Sequence, residues 1–213
     1  SLMDPDALRI LYRLHGAGFE AYVVGGAIRD MLRGREPKDV DIATNASPNQ
    51  IRRLFRNSRT IGRRFRLVHV YFGDKNIEVS TLRCSTHEAE EFTPEADAPD
   101  DLYVHDDNCW GDVESDAFRR DFTINALFYD IGDFSIIDYV GGVEDLRAGL
   151  IRCIGEPEIR FREDPVRMLR AIKFAARFGF RIEDRTDQAM RAWSGEILKA
   201  SPFRVTEELF RIC

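Results

Sequence analysis

Ala21-Tyr22-Val23-Val24-Gly25-Gly26-Ala27-Ile28-Arg29-Asp30-Met31-Leu32 decides the fold: four strand-forming residues run into a glycine pair, and a short helical composition follows as far as Gly34. Strand, glycine turn and helix in immediate succession set the register for what lies on either side. Upstream, Asp4 to Gly18 has Leu8, Leu11, Tyr12 and Leu14 at helical spacing, with an acidic cap at its start and two glycines at its end. Downstream, Lys38 to Thr44 reads as a second strand, and Ser47-Pro48 as the cap and first turn of a helix reaching about Asn57. Leu67 to Phe72 and Asn76 to Leu82 form a hairpin around Gly73-Asp74.

From Cys84 to Ser115 periodicity disappears, and acids, prolines and short polar residues predict a long loop. A helix is then expected from about Asp116 to Leu127, followed by strands at 128–131 and 134–139, a short helix near 143–147 and a strand at 150–154. Beyond this the pattern is helical, with Met168, Leu169, Ile172, Phe174, Ala175 and Phe178 at helical spacing up to Gly179. A boundary near Pro157 divides the chain into residues 4–156 and 157–213.

The net charge of −6 argues against a uniformly basic coat, but it averages two opposite segments. Residues 52–66 hold seven arginines and no acid, whereas residues 88–116 hold twelve acids and no lysine or arginine. A solvated helix face is the ordinary meaning of such an arginine run; a local patch that meets RNA is the alternative. The apolar runs are too short for a membrane span, so no membrane partner is expected and the cytosol is the expected compartment. Four widely separated cysteines without a CxxC pair suggest reduced structural thiols. Ser1-Leu2-Met3 reads as an expression remnant.

Asp39-Val40-Asp41 on a strand sets two carboxylates on one face, roughly 7 Å apart. Such a pair suits two Mg²⁺ ions, although a lone D-x-D is more often a solvated edge. Glu78 alternates with Val79 and brings a third carboxylate to a sheet. The Gly25-Gly26 turn leaves backbone N–H groups to face a phosphate, and Arg29, one turn on, is positioned to clamp it. Arg119-Arg120-Asp121-Phe122-Thr123-Ile124-Asn125 is either an ion-paired amphipathic helix or a site in which Asp121 accepts from a ribose hydroxyl and Arg120 contacts phosphate or base. Asp164 and Arg167, three apart at the start of the long helix, set an acceptor beside a donor. That pair matches the edges of adenine and cytosine and rejects guanine and uracil; an intrahelical ion pair is the structural alternative.

Gly25-Gly26-Ala27-Ile28-Arg29-Asp30, Asp39-Val40-Asp41, Arg119 to Asn125 and Glu163-Asp164-Pro165-Val166-Arg167-Met168-Leu169-Arg170 together resemble the bacterial class II tRNA nucleotidyltransferase and poly(A) polymerase family, in order and spacing across nearly the whole chain. The resemblance implies an α+β fold: a polymerase-β-like nucleotidyltransferase head, with a mixed sheet and helices, followed by an all-helical neck. It implies Asp39 and Asp41 as ligands of a two-metal Mg²⁺ site and Asp121 in the catalytic site. Gly26, Arg29, Arg120, Asp164, Arg167 and Arg170 would lie at the nucleotide. Ile61-Gly62-Arg63-Arg64-Phe65-Arg66-Leu67-Val68-His69-Val70 resembles the segment of the poly(A) polymerase branch, and Arg63, Arg64 and Arg66 are the candidate RNA contacts. The implied reaction is transfer of AMP from ATP to an RNA 3′ end, with Asp39, Asp41, Glu78 and Asp121 catalytic. An A-adding or CCA-adding tRNA enzyme shares every motif, and a non-catalytic RNA-binding module would be expected to have lost the carboxylates. Relatives of this kind continue past the neck, so the chain is expected to be a shortened form.

Overall fold

The structure, a computed structural model, describes residues 3–62, 67–83 and 111–211. Contacts divide the chain into two units: Ser1–Arg119 with Leu127–Ile137, and Arg120–Ala126 with Asp138–Cys213.

The first unit is organised by strands. Among the described residues a seven-stranded mixed sheet runs β3-β4-β5-β2-β1-β6-β7. In chain order these are β1 (Ala21–Val24), β2 (Asp41–Thr44), β3 (Ser58–Ile61), β4 (Leu67–Phe72), β5 (Lys75–Thr81), β6 (Leu127–Asp130) and β7 (Ile136–Asp138). β1 lies antiparallel to both β2 and β6, β2 lies parallel to β5, and β4 closes antiparallel on β5. All four residues of β1 are buried, which explains its unbroken apolar run. In β5, by contrast, Ile77, Val79 and Thr81 are buried while the residues between them are not. Period-two burial of this kind keeps one face for the core and leaves the other partly open to solvent.

Two helices, α1 (Pro5–Gly16) and α3 (Pro48–Leu54), pack on these strands. Asp4 caps α1 by accepting from the Asp6 and Ala7 N–H groups. Ser47 and Gln50 form a reciprocal capping box at α3, so each helix start satisfies donors that would otherwise be orphaned. The short α2 (Gly26–Leu32) follows β1 directly. Gly73, first of the two hairpin residues, has φ +59, the conformation a type II′ turn requires of that position. The turn fixes the β4–β5 register with Phe72 opposite Lys75.

Four expectations need correction. β2 begins at Asp41, so Asp39 precedes the strand. β3 occupies part of the arginine-rich run that read as helix face and loop. Phe134 stands at φ +63 and the strand after it is confined to Ile136–Asp138. The helix expected from Asp116 to Leu127 is α4 (Val113–Phe118), followed by a 3₁₀ turn at Thr123–Asn125. The reason is local: the Asp121 carboxylate accepts from the Phe122 N–H at 2.7 Å and from the Asn125 amide at 3.1 Å, and Phe122 bridges to Cys153. Those bonds offer the backbone an alternative to continued helix. The loop expected at 84–115 falls outside the described residues up to 110, and Arg63, Arg64 and Arg66 fall outside them entirely.

The second unit is mostly helical: α5 (Gly142–Ala148), α6 (Pro157–Glu163), α7 (Val166–Phe178), α8 (Asp184–Trp193) and α9 (Pro202–Phe210), with a small parallel pair β8 (Leu150–Ile151) and β9 (Arg181–Ile182). Its core joins Phe122, Phe161, Met168, Phe174, Phe178 and Met190. Phe174 meets Phe122 edge-on and stacks on Phe178 at 5.8 Å. The Cys153 thiol lies in this core, and burial pushes its pKa up to about 12.

Candidate active site

In the first unit two candidate carboxylates lie on adjoining strands, β2 and β5. Asp41 sits in register with Glu78 across the parallel β2–β5 pair, and Glu78 with His69 across β5–β4. Residues in register point to the same side of a sheet, so the two carboxylates are neighbours on one face. Asp39 and Asp41 are exposed while Val40 and Ile42 are buried, so the alternation expected of a strand continues past its hydrogen-bonded end.

Gly25 and Gly26 do different work from each other. Gly25 adopts φ 68 and ψ −126, a conformation closed to most side chains, and its N–H donates to the Leu127 carbonyl at 3.0 Å. That N–H is therefore committed to the sheet rather than turned toward a phosphate, contrary to the sequence reading. Gly26 leaves room for Arg29: a Cβ at this position would stand 3.2 Å from Arg29 Nη2. Arg29 is buried, with Nε donating to Asp30 Oδ1 at 3.1 Å. A buried, oriented guanidinium beside bare backbone is a rigid cation, unlike a solvated helix arginine.

In the second unit, Asp121 is buried and Arg170 Nη2 stands 2.7 Å from its Oδ2. Arg120 Nη1 donates to the Asn125 carbonyl, which closes the 3₁₀ turn from outside. Asp164 has extended backbone between α6 and α7 and so does not share a helix face with Arg167. It accepts from the Val166 N–H at 3.3 Å and from Arg204 Nη2 at 2.8 Å. Arg167 instead donates to the Arg160 carbonyl at 2.9 Å and to Glu163 Oε2 at 3.2 Å. The acceptor and donor expected to read a base are thus held by separate partners, and the ion pair between Asp164 and Arg167, the structural alternative, is not among the ion pairs of the described residues.

Three supporting residues were not assigned roles from the sequence. Arg160 reaches both Glu163 and the Arg120 carbonyl, and its pKa is lowered by burial and by the nearby Arg167 charge. Glu163 is shared by Arg160 and Arg167, a pattern legible as charges three and four residues apart. Arg204, forty residues from its partner Asp164, has no local sequence signal.

Among the described residues no three His, Cys, Asp or Glu side chains form a group able to hold a metal alone. The donor set nevertheless fits Mg²⁺, which takes one or two carboxylates and completes its shell with water and substrate phosphates. No helix among the described residues is long and apolar enough to cross a membrane.

An exposed carboxylate row on a mixed sheet, following a strand–glycine–helix element, defines a nucleotidyltransferase-like head. Residues 21–152 match the family described as Poly A polymerase head domain, and the chain belongs to that family. It is 49% identical over 210 residues to Poly(A) polymerase I of Salmonella typhi, across 99% of this chain and 45% of that protein. It is 39% identical over 207 residues to the CCA-adding enzyme of Lactobacillus helveticus, across 97% of this chain and 49% of that one. Among solved structures it is similar to the Bacillus stearothermophilus CCA-adding enzyme in complex with CTP, with a TM-score of 0.83 and 36% identity over 99% of this chain and 49% of that chain. The chain spans about half the length of the curated relatives it matches.

Proposed function

We propose that the protein is a template-independent RNA nucleotidyltransferase that transfers AMP from ATP to RNA 3′ ends in the cytosol. The observation that carries this reading is the in-register pair Asp41 and Glu78, set on the open face of the sheet beside the D-x-D segment. In the reaction the RNA 3′ oxygen bonds to the α-phosphorus of ATP in line with the departing bridging oxygen, and the hydroxyl proton and pyrophosphate leave. Asp39 and Asp41 would hold Mg²⁺, which when bound would acidify the hydroxyl and neutralise charge on the phosphates. Glu78 holds the third negative position of the row. Arg29 lends a fixed positive charge to the triphosphate beside Gly25 and Gly26. Asp164, oriented by Arg204 and the Val166 N–H, accepts from an exocyclic amine, and Arg167, oriented by Glu163 and the Arg160 carbonyl, donates to the ring nitrogen. Arg120, Asp121 and Arg170 complete the nucleotide-binding set, with Asp121 toward the ribose. Residues 157–213 serve as a helical neck, and Arg63, Arg64 and Arg66 contact RNA.

A second reading, an A-adding or CCA-adding tRNA enzyme, has support in the similarity to CCA-adding relatives. Extension of a labelled non-tRNA oligonucleotide by the full-length protein, with Mg²⁺ at low salt and each nucleotide separately, decides between them. Salt is kept low because phosphate contacts weaken steeply as it rises. Long products with ATP alone support adenylate tailing; a requirement for tRNA and CTP, or a stop after one or two additions, overturns it.

A further inference from the structure

The row that carries Asp41 and Glu78 continues one strand further than the reaction described above uses. His69 lies opposite Glu78 across the β4–β5 pair, with Nε2 3.6 Å from Glu78 Oε2. The other ring nitrogen is occupied, since Asn76 Nδ2 lies 3.0 Å from His69 Nδ1. An Asn amide nitrogen only donates, so Nδ1 of the neutral ring accepts and the ring proton sits on Nε2, facing the carboxylate. The opposite amide orientation would turn a lone pair of the neutral ring toward Glu78. The imidazolium carries an N–H at Nε2 as well, and takes Asn76 through the amide oxygen rather than the nitrogen.

Asn76 and His69 owe this meeting to the Gly73 turn, which sets Tyr71 opposite Asn76 and His69 opposite Glu78. A one-residue slip would send His69 to the core face. Both side chains of the pair are partly exposed, His69 at 24% and Glu78 at 38%. A glutamate this exposed keeps more rotamers open to it than a buried one. The 3.6 Å separation is longer than a direct hydrogen bond, and contacts of this kind shorten when a reacting complex assembles.

We propose that His69, oriented by Asn76, is a positioning residue for Glu78: its Nε2–H fixes the Glu78 carboxylate in the row beside Asp41. The proposal rests on the reading of Glu78 as a catalytic carboxylate and adds the means by which that carboxylate is aimed. Groups that orient an acid at a metal-dependent site typically change affinity or activity by ~10–100-fold when removed.

The test compares Glu78→Gln, His69→Leu, His69→Gln and the double variant Glu78→Gln/His69→Leu in the full-length protein. It measures kcat, KM for ATP, Mn²⁺ affinity by electron paramagnetic resonance without RNA, and thermal unfolding. His69→Leu is expected to lower kcat by ~10–100-fold, to weaken Mn²⁺ binding and to leave KM for ATP nearly unchanged. His69→Gln, whose amide nitrogen falls near the position of Nε2, is expected to recover the larger part of the loss. In the double variant the His69 change should add nothing to the Glu78→Gln loss, because the group it positions is gone. Wild-type kcat in a folded His69→Leu variant, or additive losses in the double variant, overturns the positioning role. Wild-type kcat in Glu78→Gln removes the catalytic reading of Glu78 itself, and the proposal with it.

Discussion

The two units surround their acids with different partners. On the sheet, Asp39 and Asp41 are exposed, and Glu78 faces an imidazole at 3.6 Å. In the helical unit both candidate acids meet a guanidinium, Asp121 meeting Arg170 at 2.7 Å and Asp164 meeting Arg204 at 2.8 Å, and the supporting Glu163 meets Arg160 and Arg167. An acid that is to receive an external cation gains from lying where the cation can reach it. Asp121, the buried one of the three, gains most from its pairing, because a buried carboxylate without a partner is costly. The contrast predicts chemistry for the sheet acids and architecture or recognition for the helical ones, and mutation tests that division.

The largest effect is expected at Asp41. Asp41→Asn should bring nucleotide transfer below detection while circular dichroism and thermal unfolding stay close to wild type, since the side chain is exposed at the strand start. Retained transfer in purified protein would break the comparison at its first term.

Next comes the buried pair that joins α7 to α9. Lys173 Nζ lies 2.5 Å from Glu208 Oε2, and both residues are under a tenth exposed. Lys173→Met alone should cost ~3–5 kcal/mol in urea unfolding by stranding the Glu208 charge, whereas pairing it with Glu208→Leu should return most of that. Arg211, 3.8 Å from Glu208, is the residue most able to soften the single-variant loss. If the double variant is no better than the single one, the cost comes from lost packing rather than from stranded charge.

Asp121→Ala is the smallest of the three. It removes an acceptor shared by the Phe122 N–H and the Asn125 amide, so a loss of roughly 1–3 kcal/mol is expected. Arg170 is 40% exposed on its side chain and can turn to water, which keeps the loss below that of Lys173→Met. Unchanged stability with abolished transfer would move Asp121 to the chemical side of the comparison.

How much of this was legible beforehand depended on whether a signal was local. The β1–Gly25–Gly26–α2 element, the hairpin about Gly73 and the helix ending at Gly179 were readable because period and turn chemistry agree within a few residues. The α+β reading with a mixed sheet holds for the same reason. The Asp116 to Leu127 stretch misled because helical spacing is present, but Asp121 diverts the backbone and Phe122 pairs with a residue far along the chain. At the candidate site, residue types were readable and partners were not. The Gly25 N–H is spent on Leu127 and the Asp164 carboxylate on Arg204, contacts that arise only once distant segments meet. The 49% identity to a poly(A) polymerase I fits the family that four spaced motifs had indicated.

Cys153 gives the helical unit a clock. A thiol with its pKa near 12 is almost wholly protonated at neutral pH and sealed from reagents while the core is shut. In a version with the other three cysteines changed to serine, the rate of its alkylation measures how often the Phe122, Phe174 and Phe178 cluster opens to solvent. Read with and without ATP, that rate would show whether nucleotide slows the breathing of the helical unit.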